Sequence, residues 1–517
     1  MSTSEKSLLC NNFEGIKRID SAFSSSSITA SDMQNVELFD TGINSGVGIR
    51  NMQGNEAVIE LEDETIINAF ESTQNSDTYI FVHTETESEG KIYVFNPLSG
   101  TLTLKTDGLS VTGKSCGTDY AQGWSDLFVF SNGEEILTIQ MDNYDEDGNS
   151  QEVEVLELTD VDARTVQGLG LCVFDGRLWV FDGVVLWYSV KEDCTDFSTS
   201  DPDIITSAGY IEFTKNITAI TPYLGALAIF HKDSSCLLSV NSDYSYSVTD
   251  ESPGGCAAFN SLAFHGTSLY FYDNTKKGVF SFSQIISGDT TLSKNIALDV
   301  QEELLNIDTS SLDEMKMLSV IQSDRNEIWF LIPNLDDDYS IILIYDYIHS
   351  QWVKRKSQKL TNIVFIDDTL YSIGAGKMYQ EYSGDDFDGE FIPAYYYCSP
   401  LNLSADNTLK ILYIPPRLTL DMTESNDFMV EYVKNYDSIK NPKTKHIYSK
   451  NIIKNLFYWD ISYWDSEAVF KPKETNSIKK LPPSTFKTLE IKFYTEDSTQ
   501  GFAIKNIEFS RIKVKQL

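Results

Sequence analysis

LGLCVFDGRLWVFDGVVLWYSV, residues 169–190, decides the fold. Asp175-Gly176 and Asp182-Gly183 divide it into three apolar runs. Asp-Gly between apolar runs is the strongest short-range hairpin signal, because the turn needs positive φ angles that Gly adopts freely and Asp tolerates. The stretch therefore predicts three antiparallel strands joined by tight turns. Its central pair, Leu178-Trp179, recurs as Ile80-Phe81, Leu127-Phe128, Leu227-Ala228, Leu269-Tyr270, Ile328-Trp329 and Leu370-Tyr371. In chain order the spacings are 47, 51, 49, 42, 59 and 42 residues, and only the copy at Leu227 lacks a ring. A strand-rich unit repeating every few tens of residues is the mark of a β-propeller. The fold class is all-β: a propeller of about seven blades over residues 61–390, then a small antiparallel β-sandwich or barrel over 391–517.

Neighbouring units repeat the plan. SLAFHGTSLYFYDNTKKGVFSFSQ (261–284) takes its turns at Gly266, Asn274 and Gly278, and TNIVFIDDTLYSIGAGKMYQEY (361–382) follows the same course. Unit six carries a longer insert from Pro333 to Tyr339. The runs are continuously apolar and do not alternate, as expected of strands buried on both faces. ALDVQEELLNI, 296–306, is the best helix candidate and falls between units five and six. Past residue 390 the repeat stops, and eight of the chain's 13 prolines fall in 391–517. Strand candidates there alternate, as at Leu489-Ile491-Phe493, which suits a sheet with one wet face. Residues 1–60 are polar, with FSSSSIT at 23–29, and lack the apolar surface to fold alone. They are expected either to form an arm docked on a neighbour or to close the ring.

Charge is unevenly placed. The whole chain has 40 Lys+Arg and 77 Asp+Glu, for −37. Residues 391–517 hold 18 and 14, which is +4, leaving 22 and 63 in residues 1–390, which is −41. A segment at −41 is a poor phosphate binder, since nucleic-acid affinity rests on Lys and Arg displacing counterions. It suits a wall that DNA must pass without sticking, or simply a solubilising surface. No run approaches the ~18 apolar residues of a membrane helix, and MSTSEKSLLC at the start has no apolar core of a secretion signal. Seven cysteines, scattered and without a CxxC, read as small core residues of a chain made in a reducing cytosol.

Chemistry-bearing motifs are few. NYDEDGNSQEVE, 143–154, places Asn143, Asp145, Asp147, Asn149 and Glu154 at the oxygen-ligand positions of an EF-hand-type Ca²⁺ loop, with Gly148 at its sharp turn. Its flanks EEILTIQM and VEVLEL read as strands, so the alternative is an acidic hairpin turn. No other metal and no organic cofactor is indicated. GDDFDGE, 384–390, reads as a solvated linker turn. The five histidines (His83, His231, His265, His349, His446) form no HxH or HExxH pair, and there is neither a GxSxG elbow nor a GxxxxGK[ST] loop. No catalytic residue is singled out. Lys354-Arg355-Lys356, a basic run in the acidic part, is either a phosphate or inter-subunit contact or a charged edge strand that blocks pairing.

Three stretches carry a resemblance: NNFEGIKRIDSAFSSSSITASDMQNVELFDTGINSGVGIR (11–50), YDYIHSQWVKR with LTNIVFIDDTLYSIGAGKMYQEY (345–355, 360–382), and GDDFDGEFIPAYYYCSPLNL (384–403). They resemble, in turn, the N-terminal entry, last blade and propeller exit of the tail nozzle and packaged-DNA stabilisation proteins of short-tailed phages. The resemblance implies a structural virion protein, made in the host cytoplasm and placed in the tail. It implies identical copies in a six-fold ring, with portal or adaptor, other tail proteins, and fibres or spikes as partners. DNA would pass without specific binding, and no membrane is involved. The acidic insert at 142–154 and the longer unit six depart from the pattern. A propeller hosts many unrelated activities, so a carbohydrate- or protein-binding adhesin and a propeller-fold hydrolase remain alternatives.

Overall fold

The computed structural model describes residues 6–17, 27–41, 46–74, 76–122, 125–141, 153–198, 205–284, 290–292, 294–322, 325–333, 338–401, 409–412, 416–421, 426–434, 443–449, 475–477, 485–486, 488–497 and 500–515. Seven four-stranded antiparallel units follow one another along the chain and form the blades of a propeller. Blade one is Thr65–Gln74, Asp77–Glu85, Gly90–Asn96 and Thr101–Leu109; blade two is Cys116–Gln122, Ser125–Ser131, Ile136–Ile139 and Val153–Leu156. Blade three is Gly170–Phe174, Arg177–Asp182, Val185–Tyr188 and Gly209–Glu212; blade four is Ile217–Tyr223, Ala226–His231, Ser234–Val240 and Tyr246–Val248, with Ser252–Pro253 added. Blade five is Leu262–His265, Ser268–Asp273, Gly278–Gln284 and Thr290–Leu292; blade six is Lys316–Ile321, Asn326–Ile332, Tyr339–Asp346 and Gln351–Gln358. Blade seven takes Asn362–Ile366, Thr369–Gly374 and Lys377–Glu381 from one end of the repeat and Asn55–Glu60 from the other, which closes the ring.

Every copy of the recurring pair falls on the second strand of its blade, and all fourteen side chains are buried. The period therefore marks the strand that has a strand of its own blade on either side within the sheet and a neighbouring blade packed on each face. Apolar clusters fill the spaces between successive blades. One joins Phe81 and Ile92 to Phe128 and Phe130, the next joins Val129 and Ile136 to Leu178 and Val180, and another joins Ile80 and Val82 to Tyr371 and Ile373 across the closure. Asp175 and Gly176 both have positive φ, 52° and 69°, as a type I′ hairpin turn requires. The 296–306 candidate forms a 3-10 turn, Leu298–Val300, running into a one-turn helix, Gln301–Leu305. Leu304 is buried, whereas Leu298 and Leu305 face solvent.

The chain divides into two compact units. The propeller unit comprises 56–341 and 358–381; the other comprises 1–55, 342–357 and 382–517, so its pieces are not contiguous in sequence. The expected boundaries at 60/61 and 390/391 fall instead at 55/56 and 381/382, and the outer part of blade six groups with the second unit. Residues 1–60 do not form one arm. Ser27–Gln34 pairs antiparallel with Tyr395–Cys398, Lys6–Cys10 with Ala503–Lys515, and Val47–Asn51 with both Val36–Asp40 and Ala503–Lys515. These strands lie in one 14-stranded sheet. The physical reason is that the segment carries an alternating apolar face (Phe13, Ile16, Ile28, Ala30, Met33, Ile49, all buried) too small for a core of its own. It completes the face of Tyr396, Phe428, Phe493 and Ile504. Phe13 packs edge-on against Tyr396 at 5.6 Å, and the Tyr396 hydroxyl lies 2.7 Å from the carbonyls of Glu14 and Ile28.

Candidate functional site

The Ca²⁺ loop is placed only at its edge. Asn143, Asp145, Asp147 and Asn149 lie outside the described residues. Glu154 is exposed in the outermost strand of blade two, where it pairs with Thr138. The segment thus joins two strands of a blade, whereas an EF-hand loop joins two helices. Among the described residues, no group of three or more His, Cys, Asp or Glu is arranged to hold a metal ion.

The basic run lies in Gln351–Gln358, the outermost strand of blade six as the edge-strand reading expects, but Lys354 and Arg355 are turned into the protein and do not line a solvated edge. Lys354 and Arg355 are buried. Lys354 Nζ is 2.7 Å from Asp32, and Arg355 Nη1 donates to the Gln53 carbonyl at 2.8 Å with its guanidinium 4.8 Å above the Phe387 ring. The backbone beside them is bonded as well, with Asn35 N donating to the Lys354 carbonyl and Lys356 N to Asn35 Oδ1. A buried cation must be paired, so this charge is consumed inside the unit. The acidic turn 384–390 is docked in the same way. Gly54 N donates to Gly384, Asn55 N to Asp386, and Asp388 N to Asn55. A Cβ on Gly54 would lie 1.6 Å from the Asp386 carbonyl oxygen, so only glycine fits there.

Four of the histidines, and all seven cysteines, are packed into the fold. His265 Nδ1 is 2.8 Å from Ser319 Oγ and ties the inner strand of blade five to that of blade six. His231 Nδ1 bonds the Asn216 carbonyl. His349 N donates to Asp346 Oδ1, and its ring nitrogen sits 2.5 Å from Asp346 Oδ2, which pulls its pKa upward. His446 lies in Lys443–Ser449, opposite Met429. His83 is buried between blades one and two against Phe130, and burial pushes it down to about 4. All seven cysteines are free and buried, and burial raises their thiols, Cys10 to about 11 and Cys116 to about 12.

What remains as a candidate surface is the propeller mouth. The inner strands of all seven blades run in the same sense, so their ends and the following turns gather on one face. Blades seven, one and two contribute Asp367, Asp368, Glu71, Asp77 and Asp119 there, all exposed. Backbone amides tie this arc together: Asp367 N donates to Glu71 Oε2 at 2.9 Å and Thr73 N to Asp119 Oδ2 at 3.1 Å. Loss of solvent around its carboxyl raises the Asp119 pKa; bonds from Ser72 and Thr73 oppose this, and the charges of Asp126 and Glu71 add to it. Blades four, five and six offer apolar groups at the corresponding ends, with Leu224 50%, Phe264 40% and Ile321 54% exposed. One face is thus split into an acidic arc and an apolar arc. Carboxylates on the acidic arc disfavour close approach of a polyanion.

No family model and no curated protein matches the chain. Solved structures similar to it include a catalytically inactive virginiamycin B lyase from Staphylococcus aureus with quinupristin, at TM-score 0.39 and 11% identity, covering 62% of this chain and 97% of that one. Another is a quinonprotein alcohol dehydrogenase-like protein from Bacteroides thetaiotaomicron, at TM-score 0.34 and 10% identity, covering 62% of this chain and 69% of that one.

Proposed function

We propose that this chain is a structural protein of a phage tail, a nozzle or hub ring that forms part of the DNA exit channel and helps retain and deliver packaged DNA. The observation that carries the reading is the charge distribution: −41 in residues 1–390 against +4 in 391–517, with Glu71, Asp77, Asp119, Asp367 and Asp368 exposed at the mouth of blades seven, one and two. A channel wall must let a polyanion slide. Carboxylates raise the energy of close phosphate approach, whereas Lys and Arg would release counterions and trap it. The resemblance of residues 11–50, 345–355, 360–382 and 384–403 to nozzle proteins suggests the placement on the tail axis. In this reading the DNA path is the hole of a ring of subunits, six-fold by resemblance. Portal or adaptor, further tail proteins, and fibres or spikes are the neighbours. The role is mechanical and electrostatic, without catalysis or cofactor.

Imaging of virions with the chain located by antibody or density tests the reading. A position on the tail axis supports it; a position on surface fibres overturns it. The second reading is a receptor-binding adhesin. Leu224, Phe264 and Ile321 favour it, since an exposed apolar group at a propeller mouth can seat a sugar ring or a protein loop.

A further inference from the structure

We propose that His349 is a proton-operated latch between the outer hairpin of blade six and the N-terminal strand Val36–Asp40: protonated, it bridges Asp346 to Asp40, and neutral, it lets Asp40 go. This goes beyond the tail reading and does not depend on it.

One side of the latch is fixed by the turn itself. Tyr339–Asp346 and Gln351–Gln358, the two outer strands of blade six, are joined by Tyr347, Ile348, His349 and Ser350. Asp346 caps this turn, its Oδ1 accepting from His349 N at 3.0 Å. Its other oxygen, Oδ2, lies 2.5 Å from His349 Nδ1. A carboxylate only accepts, so in the neutral ring Nδ1 carries the hydrogen and Nε2 keeps a bare lone pair.

That lone pair points at a second carboxylate. His349 Nε2 is 3.6 Å from Asp40 Oδ1, and it is buried without a hydrogen-bond partner. The His349 side chain is 13% exposed, whereas that of Asp40, at the end of its strand, is 74% exposed. Both pieces of chain belong to the same compact unit. In the neutral state two acceptors face each other with no proton between them. A proton taken from water at Nε2 makes an N–H donor for Asp40 and sets a cation between two carboxylates.

Neighbouring charges are already engaged. Glu37, in the strand of Asp40, lies 2.6 Å from Arg50. Glu14 of Asn12–Ile16, the strand whose Gly15 packs on Gln351 and Trp352, lies 2.7 Å from Lys17. Lys354 is 2.7 Å from Asp32. Tyr345, beside the turn, is kept neutral by burial. Asp346, foremost through its hydrogen bond, and Asp40 hold the His349 pKa above the ordinary 6.5. The latch is therefore closed below that value and opens as pH rises through the raised one. Asp346 still caps the turn in either state, so the proton governs how firmly the hairpin tip is tied to the N-terminal strand. That tip displays Tyr347 and Ile348, 43% and 56% exposed.

Two measurements on the full chain test this. In an NMR titration of the imidazoles, the His349 signal, assigned by its loss in His349→Gln, should have a midpoint that falls by a few tenths of a unit in Asp40→Ala. In hydrogen exchange corrected for intrinsic rates, protection of residues 36–41 and 346–351 should drop from about pH 6 to about pH 8.5 in wild type. The drop should vanish in Asp40→Ala, whose exposed position spares the fold even if His349→Gln does not. An unchanged His349 midpoint in Asp40→Ala, protection that does not vary with pH in wild type, or a pH-dependent drop that persists in Asp40→Ala would each overturn the proposal.

Discussion

At the scale of single residues, the recurring rings are structural. Trp179 is fully buried, donates Nε1 to the Phe174 carbonyl at 2.9 Å, and packs against Tyr188 and Tyr246. Trp329 is equally buried and donates to Glu327 Oε2 at 2.8 Å. Trp179→Ala or Trp329→Ala should cost ~3–5 kcal/mol in denaturant unfolding, from lost burial and the cavity left behind. A loss under ~1 kcal/mol at both sites would mean that the rings are not core. His83 makes a different prediction. Burial favours its neutral form more than the charge of Glu135 favours the charged one, and its folded pKa of about 4 lies below the ordinary 6.5. The unfolded chain then binds a proton that the folded chain refuses. The His83 contribution to stability is complete above pH 6.5 and is lost as pH falls from 6.5 toward 4. His349, raised by Asp346, titrates in the opposite sense, so the comparison must be with a variant. Unfolding midpoints at pH 7 and pH 5 should diverge less in His83→Gln than in wild type. An unchanged difference would remove His83 from the account.

At the scale of elements, the blades are stitched by polar side chains at the heads of inner strands. Asn362 Nδ2 donates to the Ile67 carbonyl of blade one, while its Oδ1 accepts from Ile363 N. Asn68 repeats the arrangement one blade on, toward Ser115 and Ala69 N. Ser131 and Thr218 make further links, to Gly168 and Cys256. Asn68→Ala or Asn362→Ala leaves two buried backbone groups unpaired and should cost ~1–3 kcal/mol in urea unfolding; a neutral result at both would show that the stitches are incidental. The period of the second strands was legible because burial between two blades is written as a local apolar-aromatic pair. These stitches were not, since a lone Asn before an apolar run reads as an ordinary strand start. Nor was the pairing of residues 6–51 with 395–515, because each strand states which face is apolar but not which distant strand will cover it. Lys354-Arg355-Lys356 misled for the same reason: the run shows its charge, while Asp32, Gln53 and Phe387, which neutralise and cover it, lie far off in sequence. For the acidic segment joining the outer strands of blade two, melting in calcium and in chelator decides between ligand loop and hairpin turn. The strand flanks favour equal midpoints, and a calcium-dependent rise abolished by Glu154→Ala would reverse that.

At the scale of the whole molecule, charge is the property with the longest reach. The negative field belongs to residues 1–390, while the C-terminal part is mildly basic. Such asymmetry favours head-to-tail contact, with the basic part of one copy meeting the acidic propeller of the next. One such contact repeated about an axis closes a ring. Two results should follow together. First, on the proposed tail-ring reading, the purified chain, alone or mixed with phage tail proteins, should form a symmetric ring whose assembly weakens as salt is raised, since complementary surface charge is screened within about 10 Å at 0.1 M. Second, the acidic propeller part should show no measurable duplex affinity at ~150 mM salt, because its excess of carboxylates over Lys and Arg leaves little to replace phosphate counterions. Mass measurement across a salt series and a fluorescence anisotropy titration with duplex DNA check the pair. A chain that stays monomeric with every tail protein present removes the ring. A ring that binds duplex tightly removes the sliding wall, because a surface that holds DNA at rest resists its passage during ejection.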